Sequence, residues 1–249
     1  MARLRAAGCV FAEDEADLLR AEATTDEDLH AMIARREAGE PLEYIVGWAE
    51  FCGTRMVVAP GVFVPRHRTE FLVDVAGGLL TRGGVVLDLC CGSGAVGAVL
   101  AASHRDIELV ASDIDPDSVA VARRNVGDRG LVVLGNLFDA LPPDLAGRVT
   151  VLVANAPYVP TAEIALMPPE ARDHEARVTL DGGFDGLDVH REIAAHACEW
   201  LAPGGHLLIE VSDRQADSAA ELFTRGGLVA RIVASDEGDA TVVVGLRAV

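Results

Sequence analysis

The sequence contains no lysine, few aromatic residues and no long hydrophobic run. All 21 basic residues are arginine, which excludes mechanisms that need a lysine Schiff base or a P-loop lysine. A membrane-spanning helix needs about 20 mostly apolar residues in succession, and the sequence has no such stretch. Positive charge is also scarce: the 39 acidic residues give a net charge of −18, which disfavours nucleic acid as a partner.

Cysteine is sparse, and its spacing differs from that of a disulfide framework or a zinc site. The five cysteines are Cys9, Cys52, Cys90, Cys91 and Cys198, an odd number with two adjacent members and no Cys-x-x-Cys pair. We therefore expect free thiols, no bound metal and a reducing, cytoplasmic location. Half of the residues are apolar, which is enough for a large buried core.

The chain divides into three regions by its sequence pattern. Residues 1–45 predict two amphipathic helices, which would form a small helical part. Residues 46–68 are rich in β-branched residues punctuated by glycine and proline, which predicts a linking β-hairpin with its strands within 51–64. Residues 69–249 alternate between short apolar runs and helical segments and form the largest region.

This largest region predicts seven strands separated by helices. Strands are expected at Val85–Leu89, Glu108–Ser112, Leu131–Leu134, Val149–Ala154, His206–Val211, Leu228–Val233 and Thr241–Leu246. Helices are expected at about Thr69–Leu80, Gly94–Ala102, Pro116–Val126 and Asp188–Leu201. Continuous apolar strands between helices are typical of a mostly parallel sheet covered on both faces. The last two strands should form a hairpin, so we predict an α/β, Rossmann-like sheet of the methyltransferase type, with one antiparallel strand.

A glycine-rich turn follows the first of these strands, in Val86-Leu-Asp-Leu-Cys-Cys-Gly-Ser-Gly94. Ligands of such sheets bind at the carboxyl ends of the strands, and Gly92 and Gly94 let a ligand approach the backbone. Asp113 ends the next strand, where its carboxylate can accept both hydroxyls of a ribose. S-adenosylmethionine fits this pattern best; a dinucleotide such as NAD, or a turn that serves only packing, are the alternatives.

A polar–proline–aromatic turn, Asn155-Ala-Pro-Tyr158, follows the fourth strand. A planar amide or exocyclic amine nitrogen is a poor nucleophile, because its lone pair is delocalised. The Asn155 side-chain carbonyl and the backbone carbonyl of Ala156 can accept hydrogen bonds from both of its N–H groups, which orients the nitrogen and raises its electron density. Pro157 stiffens the turn, and the Tyr158 ring can lie against the planar group.

In these two motifs, the sequence resembles the amide-nitrogen methyltransferases of the HemK/PrmC type. That family methylates the glutamine of the Gly-Gly-Gln loop in peptide-chain release factors. The resemblance covers residues 29–249 and includes Pro41-Leu-Glu-Tyr-Ile-Val-Gly47, Val62-Phe-Val-Pro-Arg-His-Arg-Thr-Glu70 and Leu180-Asp-Gly-Gly-Phe-Asp-Gly-Leu187. It implies a class I methyltransferase fold, S-adenosylmethionine as cofactor, a release factor as protein substrate, and a helical N-terminal part that recognises it.

The resemblance also implies two groups of site residues. The cofactor would contact Asp88, Cys90, Cys91, Gly92, Ser93, Gly94, Asp113, Ile114, Asn136, Leu137 and Asn155. The substrate amide would be held by Asn155, Ala156, Pro157 and Tyr158 and flanked by Phe63, Pro65, Arg66 and Thr69.

Four features depart from the family pattern. Ala156 replaces the first of two prolines, Cys90 replaces the first glycine of the cofactor turn, Asn136 replaces an aspartate, and the N-terminal part is short. Two functions other than protein-glutamine methylation remain as alternatives. One is a nucleic-acid adenine amino-methyltransferase, since a flipped base presents a similar planar amine. The other is a catalytically weak, cofactor-binding interaction protein.

Overall fold

The computed structural model describes residues 1–236 and 239–249. The strands in these residues are β1 (Trp48–Phe51), β2 (Thr54–Val57), β3 (Val85–Leu89), β4 (Glu108–Asp113), β5 (Leu131–Leu134), β6 (Val149–Ala154), β7 (Leu201–Val211), β8 (Val229–Ala234) and β9 (Thr241–Leu246). Strands β3 to β9 form one sheet in the order β5-β4-β3-β6-β7-β9-β8. Strand β9 runs antiparallel to β7 and β8, and the other pairs are parallel. The predicted fold class is confirmed; the turn between the last two strands includes Glu237 and Gly238, which lie outside the described residues.

Helices cover both faces of this sheet. The described α-helices are α1 (Ala2–Ala6), α2 (Ala12–Glu22), α3 (Asp26–Glu37), α4 (Leu42–Val46), α5 (Glu70–Gly77), α6 (Ala95–Ser103), α7 (Pro116–Val126), α8 (Pro169–His174), α9 (Asp188–Trp200) and α10 (Ala216–Arg225). One core lies under α9 and α10, where Ile193 and Phe223 are fully buried. The other lies under α5, α6 and α7 and includes Leu72 and Leu100. In the described residues, no helix is long and apolar enough to cross a membrane.

The helices of residues 1–45 have a small core of their own. Its buried members are Leu4, Ala12, Ala16, Leu19, Met32 and Ile45. The Thr25 hydroxyl accepts a hydrogen bond from the backbone N–H of Asp28 at 3.1 Å and so caps the start of α3. The two predicted helices are present as α2 and α3; α1 and α4 are too short for their periodicity to indicate them.

The linking hairpin lies earlier than the sequence indicated. Its strands are β1 and β2, whereas we expected strands within 51–64. Cys52 and Gly53 both have positive φ angles, 49° and 66°, as in the tight two-residue turns that match the twist of a hairpin. Beyond Val57 the chain belongs to no named strand: the N–H of Val62 donates to the carbonyl of Ala59 at 3.1 Å and closes a turn around Pro60, which cannot donate to a ladder.

Candidate active site

The site lies at the carboxyl ends of β3, β4 and β6, where the strand order reverses. A cavity of about 850 Å³ opens there. Of the site residues implied by the sequence, all but Gly94 line this cavity. Gly94 instead faces α7, because a Cβ at that position would lie 2.9 Å from the Cβ of Ala122. Its lack of a side chain therefore allows the close packing of α6 on α7.

The cofactor turn has a left-handed backbone at three places. Cys90, Gly92 and Gly94 have φ angles of 53°, 54° and 73°. Left-handed geometry costs roughly 1–2 kcal/mol for a residue with a Cβ, so Cys90 is held there by its surroundings. A Cβ on Gly92 would meet nothing closer than Phe63 at 3.9 Å, so the backbone of Gly92 borders open space.

A partly buried carboxyl group and a fully buried one support this turn. Asp113 accepts hydrogen bonds from the backbone N–H groups of Gly92 at 2.8 Å and of Asp115 at 2.9 Å. Burial raises its pKa, and these N–H donors offset part of the rise. Asp88 accepts from the N–H of Gly97 at 2.9 Å, and burial raises its pKa to about 7. Asp113 retains acceptor capacity for a ligand at the cavity wall, while Asp88 anchors the first turn of α6.

An apolar wall continues the cavity beyond Asp113. Ile114 is 53% exposed there, which is unusual for a large apolar side chain beside a cavity. Leu137, like Cys90, has a positive φ angle, here 46°. Its backbone carbonyl accepts a hydrogen bond from the Ser112 hydroxyl at 3.2 Å. Asn136 lies next to it along the chain and lines the same wall. This surface is suited to a flat aromatic group with a polar edge.

The Asn155 carboxamide is oriented by Thr69, the residue directly before α5. Its Nδ2 donates to the hydroxyl of Thr69 at 3.2 Å. Thr69 is only 2% exposed, so its side chain is fixed by packing. Because the nitrogen branch of the carboxamide is engaged, the carbonyl oxygen of Asn155 is left to accept a hydrogen bond from a ligand.

Tyr158 is held by two residues that sequence reasoning missed. Its hydroxyl donates to Oε1 of Glu210 at 3.3 Å and accepts from Arg68. Arg68 also donates to the same Glu210 oxygen at 3.1 Å. Burial is the main cause that raises the pKa of Tyr158 to about 12, so the phenol is neutral at physiological pH. Glu210 near the end of a buried strand was the available signal, since a buried carboxylate normally has a partner.

The glycine-rich segment Leu180–Leu187 packs directly against the catalytic turn. A Cβ on Gly182 would lie 2.7 Å from the carbonyl oxygen of Pro157. A Cβ on Gly186 would lie 2.2 Å from the carbonyl oxygen of Tyr158. That carbonyl accepts from the side chain of Gln215, a third residue that sequence reasoning missed, at 2.9 Å. The glycines thus allow a backbone contact that larger residues would prevent.

The residues that flank the cavity form a polar and aromatic rim. Arg66 pairs with Glu175, and its guanidinium lies 5.0 Å from the ring centre of Phe63. Oε2 of Glu175 is buried and has no hydrogen-bond partner among the described residues. The described residues, 1–236 and 239–249, contain no cluster of three or more histidine, cysteine or acidic side chains that could hold a metal ion.

Known proteins share the fold of this chain. The model of the methyltransferase small domain family matches residues 54–170. A methyltransferase from Pyrococcus furiosus has the same fold, with a TM-score of 0.59 and 17% identity over 88% of this chain and 98% of its own. The chain is therefore a methyltransferase by class.

Two relatives define the family more closely. A release factor glutamine methyltransferase from Geobacter sulfurreducens is 39% identical over 219 residues, which is 87% of this chain and 76% of the relative. One from Streptomyces coelicolor is 39% identical over 198 residues, 78% of this chain and 70% of that protein. The chain belongs to the family of release factor glutamine methyltransferases.

Proposed function

We propose that this protein transfers a methyl group from S-adenosylmethionine to the side-chain amide nitrogen of a release-factor glutamine. The observation that carries the proposal is the orientation of Asn155, whose amide nitrogen is engaged by Thr69. The substrate identity is supported by the relatives, which bear the name release factor glutamine methyltransferase. The remaining support is the cavity that joins the glycine-rich turn to Asn155.

The cofactor fits the residues present. Asp113 would accept the ribose hydroxyls, and the backbone beside Gly92 would adjoin the amino-acid portion. Ile114 and Leu137 would cover the adenine, with Asn136 at its edge. When bound, S-adenosylmethionine supplies an electrophilic methyl group attached to a sulfonium.

The catalytic turn acts on the substrate nitrogen through positioning and electrostatics. The side-chain carbonyl of Asn155 and the backbone carbonyl of Ala156 would accept the two N–H groups of the glutamine amide. These contacts raise electron density on the nitrogen and hold it in one orientation. Only the backbone of Ala156 is needed, so alanine in place of the first proline leaves this chemistry intact. No general base is required, because the proton becomes acidic once the methyl group is attached and can pass to water.

Tyr158 completes the clamp with its ring rather than its hydroxyl. The hydroxyl is engaged by Arg68 and Glu210, which fixes the direction of the ring. A fixed ring can pack against the planar amide and exclude water from one of its faces. Arg68 and Glu210 are positioning residues in this account, since they act through Tyr158.

A methyl-transfer assay on defined substrates tests the proposal. Purified protein is incubated with radiolabelled S-adenosylmethionine and one of three substrates: a bacterial release factor, the same factor with its Gly-Gly-Gln glutamine changed to alanine, or total RNA. We expect label on the intact factor alone, and peptide mass spectrometry should locate the added methyl group on that glutamine. Equal labelling of the altered factor, or labelling of RNA instead, would contradict the proposal.

A further inference from the structure

A buried arginine connects the N-terminal helices to the wall of the cavity. Arg36 on α3 is 8% exposed and makes two hydrogen bonds to Glu15 of α2, at 2.7 and 3.2 Å. Its Nη1 lies 2.6 Å from Oε1 of Glu170 on α8 and also donates to the carbonyl of Glu40 at 3.2 Å. One guanidinium thus joins two helices of the N-terminal part to a helix of the largest region of the chain.

Helix α8 is the element that this arginine holds. Pro168, Glu170 and Ala171 line the cavity, so α8 and the residue before it form part of its wall. The helix has only six residues, and Ala171 is its one buried side chain. Because so little apolar surface is buried, the hydrophobic effect holds α8 in place only weakly.

A second contact holds the other end of α8. Glu175, directly after the helix, pairs with Arg66, and it also bridges to Gly61. Each end of α8 is therefore joined through an acidic residue to an arginine from a preceding region of the chain. The contact through Arg36 belongs to the N-terminal part and touches neither the cofactor turn nor Asn155.

We propose that the N-terminal helices act on the substrate entrance through Arg36, which holds α8 as the wall of the cavity. Arg36 is a positioning residue in this role, and the inference rests on the proposed function for its kinetic readout. Loss of the contact would leave the cofactor site intact but widen the range of positions that α8 adopts.

Glu170→Ala is the direct test, because the Glu170 side chain is 51% exposed and its removal leaves the Arg36–Glu15 pair in place. We expect KM for the protein substrate to rise about threefold to tenfold, with kcat and cofactor affinity unchanged within about twofold. Hydrogen exchange of the backbone amides at 167–176 should become faster. Glu170→Gln keeps an acceptor for Arg36, so its KM should lie between that of Glu170→Ala and that of the wild type.

Glu22→Ala is the matched control. It removes a comparable ion pair, 3.0 Å long, between Arg55 of the hairpin and α2, at a place that does not line the cavity. This variant should leave KM and exchange at 167–176 unchanged. A double-mutant cycle adds specificity: Arg36→Met should raise KM in the wild type but not further in Glu170→Ala.

Three results would overturn the inference: an unchanged KM in Glu170→Ala, an equal rise in Glu22→Ala, or a fall in kcat with KM unchanged. Hydrogen exchange and cofactor affinity do not depend on which protein is methylated. Failure of the proposed function would appear differently, as a wild-type protein that methylates no release factor while exchange at 167–176 still responds to Glu170→Ala.

Discussion

Thr69→Val removes the hydroxyl that orients Asn155 and preserves the shape of the side chain. The hydrogen bond from Nδ2 of Asn155 is 3.2 Å long, at the long end of the usual range, so we assign it about 0.5–1 kcal/mol. Without it the carboxamide can turn over and present its nitrogen to the substrate amide. An acceptor would then be replaced by a donor facing a donor, at a further cost of about 0.5–1 kcal/mol.

The two contributions give a roughly 5-fold to 30-fold fall in kcat/KM for the protein substrate. The assay is steady-state methyl transfer with cofactor at saturation, accompanied by calorimetric titration of S-adenosylmethionine. Cofactor affinity should not change, because Thr69 makes no hydrogen bond to the cofactor turn. Thr69→Ser is the matched control, since it keeps the hydroxyl, and it should retain most of the activity. The reasoning fails if the valine variant keeps wild-type kcat/KM, or if the serine variant loses as much.

Three other residues give predictions of different kinds. Asp113→Asn should weaken cofactor binding about 10-fold to 100-fold in calorimetry and leave kcat at saturating cofactor nearly unchanged, since a charge-assisted contact contributes about 1.5–3 kcal/mol. Gly182→Ala should lower the free energy of unfolding by about 1–3 kcal/mol and reduce kcat, because its Cβ would meet the Pro157 carbonyl. Burial lowers the pKa of His190 to about 4, so below about pH 6.5 the unfolded chain binds a proton that the folded chain does not. Stability should therefore fall by about 2 kcal/mol from pH 7.5 to 5 in chemical denaturation, and a His190→Phe variant should lack this contribution.

The sheet and the positions of the two turns that line the cavity, Cys90–Gly94 and Asn155–Tyr158, could be predicted because their signals are local. Strands such as Val85–Leu89 and Val149–Ala154 are mostly apolar runs, and each of these turns directly follows one of them. Asp115 caps α7 as its position before Pro116 indicates, accepting from the N–H of Ser118 at 3.2 Å. In each case neighbouring residues in the sequence determine the structure.

Contacts between distant residues could not be predicted. Arg68, Tyr158 and Glu210 come from three separate elements, and no pattern in any one of them indicates the other two. Gln215 was missed together with α10, although the buried residues Ala216, Ala219 and Phe223 recur at helical spacing and could have indicated that helix. Helix α8 is too short for its period to be recognised, and its position depends on arginines from two other regions.

The hairpin shows how apolar content can mislead when backbone constraints are ignored. Residues 57–64 contain four valines and read as a strand, but Pro60 interrupts any ladder there. The paired strands lie around Cys52 and Gly53, where two positive φ angles close the turn. Cysteine is an uncommon residue at such a position, so the turn signal was weak.

The central claim is that Asp113 is a main contact of the cofactor and Asn155 the main contact of the substrate amide within one cavity. Parallel measurements on Asn155→Ala and Asp113→Asn, by calorimetric titration of S-adenosylmethionine and by labelled-methyl transfer to a release factor, test it most directly. We predict that Asn155→Ala abolishes transfer and binds the cofactor almost as well as wild type, whereas Asp113→Asn loses affinity first. Equal loss of cofactor binding in both variants, or retained transfer in Asn155→Ala, would contradict the account.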